Sequence, residues 1–178
     1  MKVYKITDVL ISEEEISKKV YELAKIIEKD YKGEEVIFVG ILKGACVFIS
    51  DIIRKIDLDI RLDFMAVSSY GMSTQSSGVV KILKDLDSDI EGKNVVVVED
   101  IIDTGLTLSY LRENLNARNP KSLKICTLLD KPERRKCDIP VDYAGFKIPD
   151  KFIVGYGIDC GEQFRNLPYI GIVEKKDK

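Results

Sequence analysis

The feature that most constrains this chain is the run Asn94-Val-Val-Val-Val98. Consecutive β-branched residues favour an extended backbone, and an uninterrupted apolar run fits a strand covered on both faces. Such a strand belongs in the middle of a parallel sheet with helices on either side. Its surroundings agree. Val36-Ile-Phe-Val-Gly40 is a second short apolar run, and Ser122 to Leu129 reads as a third strand. Arg61 to Ser68 alternates in part, and Val79 to Leu83 returns as its hairpin partner. Val141 to Phe146, Phe152 to Gly155 and Tyr169 to Val173 are shorter strand candidates. Helical stretches separate the strands. Ile16, Val20, Leu23, Ile27 and Tyr31 recur at helical spacing within Ser12 to Tyr31, and Ser12 with Glu15 has the capping-box form. Gly44 opens a second helix ending near Lys55, and Leu106 to Ala117 forms a third. Strands alternating with helices predict an α/β fold with a central, mostly parallel sheet flanked by helices. No linker, repeat or low-complexity segment interrupts it, so residues 1–178 read as a single domain.

The chain has no histidine, 28 Lys plus Arg and 30 Asp plus Glu, for a formal net charge of −2. Without imidazole, Ser-His-Asp and Cys-His catalysis, His-ligated zinc and haem, and an imidazole general base near neutral pH are all excluded. Acid–base work falls to carboxylates, lysines, tyrosines or cysteines. The near-zero net charge argues against bulk binding to nucleic acid. Cys46, Cys126, Cys137 and Cys160 are spread out and form no C-x-x-C pair, so they read as free thiols in a reducing cytosol. The N-terminus lacks the apolar core of a signal peptide. Lys43 and Asp51 interrupt the only stretch approaching a membrane span. The expected location is cytoplasmic, with no membrane partner.

Some motifs fail on inspection. Asp85-Leu-Asp87-Ser-Asp89 opens like an EF-hand, but Ile90 stands at the glycine position and Val96 at the closing glutamate. Neither a Walker phosphate loop nor a G-x-G-x-x-G dinucleotide fingerprint is present.

The informative segment is Val95-Val-Val-Val-Glu-Asp-Ile-Ile-Asp-Thr-Gly-Leu-Thr107. A buried strand is expected to end by placing Glu99 and Asp100 at its carboxyl edge, where open α/β sheets bind ligands. Two adjacent carboxylates there can accept hydrogen bonds from vicinal hydroxyls. Asp103-Thr-Gly-Leu-Thr107 then turns into a helix whose first amides and hydroxyls suit a phosphate dianion. Ser69 to Gly78, rich in Ser and Gly, reads as a long loop, of the kind that is usually a functional lid or a disordered segment.

This segment resembles the phosphoribosyl pyrophosphate (PRPP) binding motif of the type I phosphoribosyltransferases, in the form of their hypoxanthine-guanine branch. Leu42-Lys-Gly-Ala45 resembles the branch's pyrophosphate loop, although Ala45 stands where many relatives have a second Gly. Ser68-Ser-Tyr-Gly71 through Ser77-Gly78 resembles its lid, and Leu129-Asp-Lys-Pro132 the strand end that supplies a purine-contacting lysine. Ile148 to Tyr156 and Asp159 to Arg165 resemble its purine and pyrophosphate segment.

The resemblance implies the type I fold, with a small hood formed by the terminal segments. It also implies a reaction: a purine base plus PRPP gives a nucleoside monophosphate and pyrophosphate. The base is hypoxanthine or guanine, with xanthine a third candidate, so the products are IMP or GMP. Asp103 is implied as general base at purine N7. Glu99 and Asp100 are implied on the ribose hydroxyls and, with Asp159, on Mg²⁺. Asp103, Thr104, Gly105, Leu106 and Thr107 are implied around the 5′-phosphate, and Lys43, Gly44 and Arg165 around pyrophosphate. Lys131, Phe152, Ile153 and Asp159 are implied at the purine, and Ser69 and Tyr70 in the lid. A non-proline cis peptide before Lys43 and a homodimer or homotetramer are further implications. On residue type alone Lys131 could equally be an exposed turn lysine, and Phe152 an ordinary core aromatic. A non-catalytic regulator on the same fold, or a transferase for another base, are the competing readings. The former needs a DNA-binding domain or basic face, and Lys131 and the Phe152 segment argue against the latter.

Overall fold

The computed structural model describes residues 4–69 and 80–175. Tyr70 and the rest of the expected lid lie outside them, as does the side chain of Ser69. The elements in chain order are β1 (Tyr4–Ile11), α1 (Glu13–Asp30), β2 (Val36–Leu42), α2 (Cys46–Ile53), β3 (Ile60–Ser69) and β4 (Val80–Lys84). They continue with β5 (Asn94–Ile102), α3 (Leu106–Asn116), β6 (Ser122–Asp130), β7 (Tyr143–Lys147), β8 (Ile153–Val154) and β9 (Ile170–Lys175). A six-stranded sheet runs β4-β3-β2-β5-β6-β7, parallel except for the β3–β4 pair. β5, the valine strand, lies between β2 and β6 as its composition required.

Alternate residues of the central strands feed two cores. Phe38, Val96 and Val98 point to one face, where Ile16, Val20, Leu23 and Ile27 of α1 and Phe48, Ile49 and Ile52 of α2 cover them. Ile37, Val39, Val95 and Val97 point to the other, under Leu108, Leu111 and Leu115 of α3. Each such side chain contributes roughly 1.5–3 kcal/mol by leaving water. The α1 start is fixed by Ser12, whose backbone and hydroxyl donate to Glu15 Oε2 while the Glu15 amide donates back to the hydroxyl.

The terminal segments form a second sheet, β1-β9-β8, wholly antiparallel. This is the expected hood. Ile153, Tyr156, Ile170 and Ile172 join the α1–α2 core, so the hood packs directly onto the main sheet. Among the described residues no helix is long and apolar enough to cross a membrane. The four cysteines are free; Cys126 and Cys160 are buried and Cys46 is exposed.

One expectation needs adjusting. β5 does not end before the acidic pair. Its ladder with β6 continues through Glu99↔Thr127, Ile101↔Leu129 and Ile102↔Asp130. The pairing strand β6 holds this stretch extended, so Glu99 and Asp100 sit inside the strand end. The Leu42–Lys43 peptide between β2 and α2 is cis.

Candidate active site

The loop from Asp103 to Thr107 leaves β5 and starts α3. Gly105 caps the helix with φ +81°, a left-handed conformation that only glycine adopts freely. The Thr104 carbonyl is pinned from behind, accepting from the Lys136 amide at 2.9 Å and the Cys137 thiol at 3.7 Å. This turns the first amides of α3 outward. They border a cavity of about 150 Å³ lined by Glu99, Asp103, Thr104, Gly105 and Thr107 among others. A helix start with open amides and hydroxyls favours an anion.

Of the acidic pair, Glu99 lines this cavity and Asp100 follows it in β5. Glu99 Oε2 is buried and has no hydrogen-bond partner. Asp100 Oδ1 accepts from the Ile101 amide at 2.8 Å. Burial pushes the Glu99 carboxyl well above the ordinary range, and the Asp100 charge beside it adds to this. Burial also raises Asp100, to about 6, against the opposing pull of backbone hydrogen bonds. The structure brings the Lys43-Gly44 loop onto the same spot: a Cβ on Gly44 would fall on the Asp100 carboxylate.

A third group gathers opposite. Lys43 Nζ contacts Glu162 Oε2 at 3.0 Å, and Arg165 contacts Asp159 at 2.8 Å and Glu162 at 3.4 Å. Arg165 also donates to the Gly157 carbonyl at 2.8 Å, while its Nε is buried without a partner. A Cβ on Gly157 would strike the Gly44 carbonyl, so the two loops meet backbone to backbone. Lys43, Gly44, Asp159 and Arg165, distant in sequence, therefore share one locus with Asp100.

The expected purine residues lie at the end of β6 and around β8. Lys131 is not an exposed turn lysine: it is 7% accessible, and its Nζ donates to the Lys151 carbonyl at 2.7 Å. Phe152 is not a core aromatic: it is 56% exposed, its ring 6.1 Å from that of Tyr4. Ile153 is buried in β8. Behind Lys131, Arg135 pairs with Asp130 and lies 3.2 Å from the position of a Cβ on Gly105. It braces the Asp103 to Thr107 loop against the end of β6.

The comparisons with known proteins agree with this geometry. Residues 9–160 match the family model for the phosphoribosyl transferase domain. The chain is 56% identical over 169 residues to a hypoxanthine-guanine phosphoribosyltransferase of Bacillus subtilis, covering 95% of this chain and 94% of that one. It is 53% identical over 166 residues to one from Aquifex aeolicus, with 93% of each covered. A crystal structure of a hypoxanthine-guanine phosphoribosyltransferase from Bacillus anthracis superposes with a TM-score of 0.90 at 56% identity, covering 96% of this chain and 99% of that one. The chain belongs to the hypoxanthine-guanine branch of the phosphoribosyltransferases.

Several residues in this phosphoribosyltransferase site escaped the sequence reading. Glu162 links Lys43 to Arg165, Arg135 braces Gly105, and Arg134 contacts Asp103 at 2.6 Å and Asp150 at 3.2 Å. Each is a charged residue in a polar loop, and nothing local distinguishes it from a solvated one. A cavity of about 410 Å³ between α1, α2 and residues 165–168 shares only Arg165 with the implied site residues. Its Asp51 is already engaged, by Tyr156 Oη at 2.6 Å and by Arg54.

Proposed function

We propose that this chain, acting as one domain, transfers the 5-phosphoribosyl group of PRPP to N9 of hypoxanthine or guanine. The purine N9 lone pair forms the bond to ribose C1′, the bond from C1′ to pyrophosphate oxygen breaks, and the N7 proton passes to Asp103. The products are a nucleoside 5′-monophosphate and pyrophosphate. The observation that carries this reading is the meeting of the acidic pair, the phosphate-binding helix start and the Gly44 loop at one sheet edge.

Thr104, Gly105, Leu106 and Thr107 would hold the 5′-phosphate through the amides and hydroxyls at the start of α3. Glu99 and Asp100 would accept hydrogen bonds from the ribose hydroxyls. Their shifted carboxyls suit this: a buried, unpaired acid gains most from a donor or cation. Lys43, Gly44 and Arg165 would hold the pyrophosphate, with the unpartnered Arg165 Nε available to it. Lys131 would donate to the purine O6, which adenine cannot match, and Phe152 would stack on the ring. Ile153 would contact the base through its backbone, and the lid with Ser69 and Tyr70 would exclude water from the ribosyl cation.

The donor set fits Mg²⁺, a hard cation that takes carboxylate oxygen. Mg²⁺ commonly takes one or two carboxylates alongside substrate oxygens. Glu99, Asp100 and Asp159 would hold it, and it would supply neutralisation of the pyrophosphate charge.

The test is incubation with PRPP and Mg²⁺, offering hypoxanthine, guanine, xanthine and adenine separately. Monophosphate from hypoxanthine and guanine is expected. None from any base would overturn the reading, and turnover of adenine alone would overturn the role of Lys131. A homodimer or homotetramer is expected on light scattering, and a monomer at assay concentration would overturn that part.

A further inference from the structure

Purine N7 and O6 lie on the same edge of the ring. A site that takes a proton from N7 and donates to O6 must therefore set a carboxylate and an ammonium side by side. Such groups tend to pair with each other, which would spend both. Asp103 comes from the end of β5 and Lys131 from the end of β6, two adjacent parallel strands. Yet no ion pair joins them among the described residues. Arg134 Nε contacts Asp103 Oδ1 at 2.6 Å, Arg134 reaches Asp150 at 3.2 Å, and Asp150 faces Lys131 at 3.5 Å. Four charges of alternating sign run from the general base to the O6 donor.

The contact with Asp103 is ionic rather than a directed hydrogen bond: Oδ1 is shielded from solvent and receives no aligned donor. The Asp103 side chain is still 44% exposed, which leaves the other carboxylate oxygen for a ligand. Arg134 sits on the short 3-10 turn Pro132–Arg134, directly after Lys131, so the residue that donates to O6 and the residue that engages the base move on one rigid turn. Asp150 precedes Lys151, whose carbonyl accepts from Lys131, and lies two residues before Phe152.

We propose that Arg134 and Asp150 are a positioning pair that holds Asp103 and Lys131 apart and presents both to one purine edge. This rests on the reaction proposed above. The guanidinium suits the task because its planar fork reaches two carboxylates at once, which an ammonium does less well. The pair acts through Asp103 and Lys131 and touches no reacting atom.

Steady-state kinetics of wild type, Arg134→Gln, Arg134→Lys, Asp150→Asn and the double variant Arg134→Gln/Asp150→Asn test this, with hypoxanthine and PRPP varied separately. Arg134→Gln is expected to lower kcat/KM for hypoxanthine ~10-fold or more, as misplacement of reacting groups does, with KM for PRPP within twofold of wild type. Arg134→Lys should recover only part of the loss. Asp150→Asn should act in the same direction, and the double variant should be no worse than the poorer single one, because the two act as a unit. Arg134 is half-exposed, so melting temperatures should stay near wild type. Wild-type efficiency in Arg134→Gln overturns the inference, as does an equal rise in KM for PRPP or independent, multiplying losses. A wild type that makes no monophosphate overturns the reaction itself, and the inference with it.

Discussion

Two sets of carboxylates in this protein behave oppositely. Asp30, Asp85, Asp150 and Glu162 each sit within reach of a cation: Lys124, Arg118, Arg134 and Lys43 respectively. Those partners hold them below the ordinary carboxylate range. Glu99 and Asp100 form no ion pair among the described residues, and burial pushes both up. The first group is satisfied within the folded chain. The second lies where the Asp103 to Thr107 loop and the Gly44 loop converge, with Glu99 Oε2 lacking a hydrogen-bond partner. Perturbed carboxyls in a cleft mark chemistry for this physical reason.

The largest expected effect falls on Asp103, which stands between the groups, exposed on one side and in ionic contact on the other. Asp103→Asn keeps the shape but cannot take the N7 proton, so kcat should fall by ~10²–10⁴. Full activity in a rapid-quench assay would remove it from the mechanism.

Gly44→Ala attacks the unpaired group sterically. Its methyl would fall on the Asp100 carboxylate, so kcat/KM for PRPP should drop by ~10–100-fold through misplacement. An unchanged value, measured with PRPP limiting, would show that the two loops can separate freely.

The next effect is on stability. Asp100 has a folded pKa of about 6, above its ordinary value. In the ligand-free protein the folded state therefore binds the extra proton, and stability falls as pH rises through the window from about 4 to 6. Its size is roughly 2–3 kcal/mol. Asp100→Asn should flatten that slope relative to wild type and melt higher above pH 6. Parallel melting curves for the two proteins across this range would contradict it. The satisfied carboxylates pull the other way at lower pH, and comparing the two proteins cancels them.

The smallest effect is expected at a half-exposed pair. Lys19 and Glu22 of α1 contact at 2.6 Å, partly open to solvent and salt, which screen them. Lys19→Gln should leave the melting temperature unchanged within error. A clear loss would mean that half-exposed pairs in this protein carry more than their geometry suggests.

How much was legible varies by residue. The valine strand, the capping box of α1 and the Asp103 to Thr107 turn carry strong local signals, and each formed close to where it was expected. β1 was not assigned from sequence. Its eight residues are mostly exposed or half-buried, and its register with β9 shifts twice, so no clean alternation exists to read. Its partner lies more than 150 residues away in the chain. Lys131 could be read as exposed or buried until the Lys151 carbonyl was found against it. Phe152 was ambiguous in the opposite sense, and the hood leaves it open to solvent.

The sequence by itself determined the class of fold, because four β-branched residues in a row demand a strand covered on both faces. It also placed the Asp103 to Thr107 turn and the start of α3, because a helix start depends on adjacent residues. It excluded imidazole catalysis outright. Only the tertiary structure decided that Gly44 meets Asp100, that Glu162 joins Lys43 to Arg165, and that Arg134 and Asp150 stand between Asp103 and Lys131. Those contacts join segments from different strand ends. Charge and hydrogen bonding act over a few ångströms of space, and separation along the chain carries no record of that distance until the sheet has assembled.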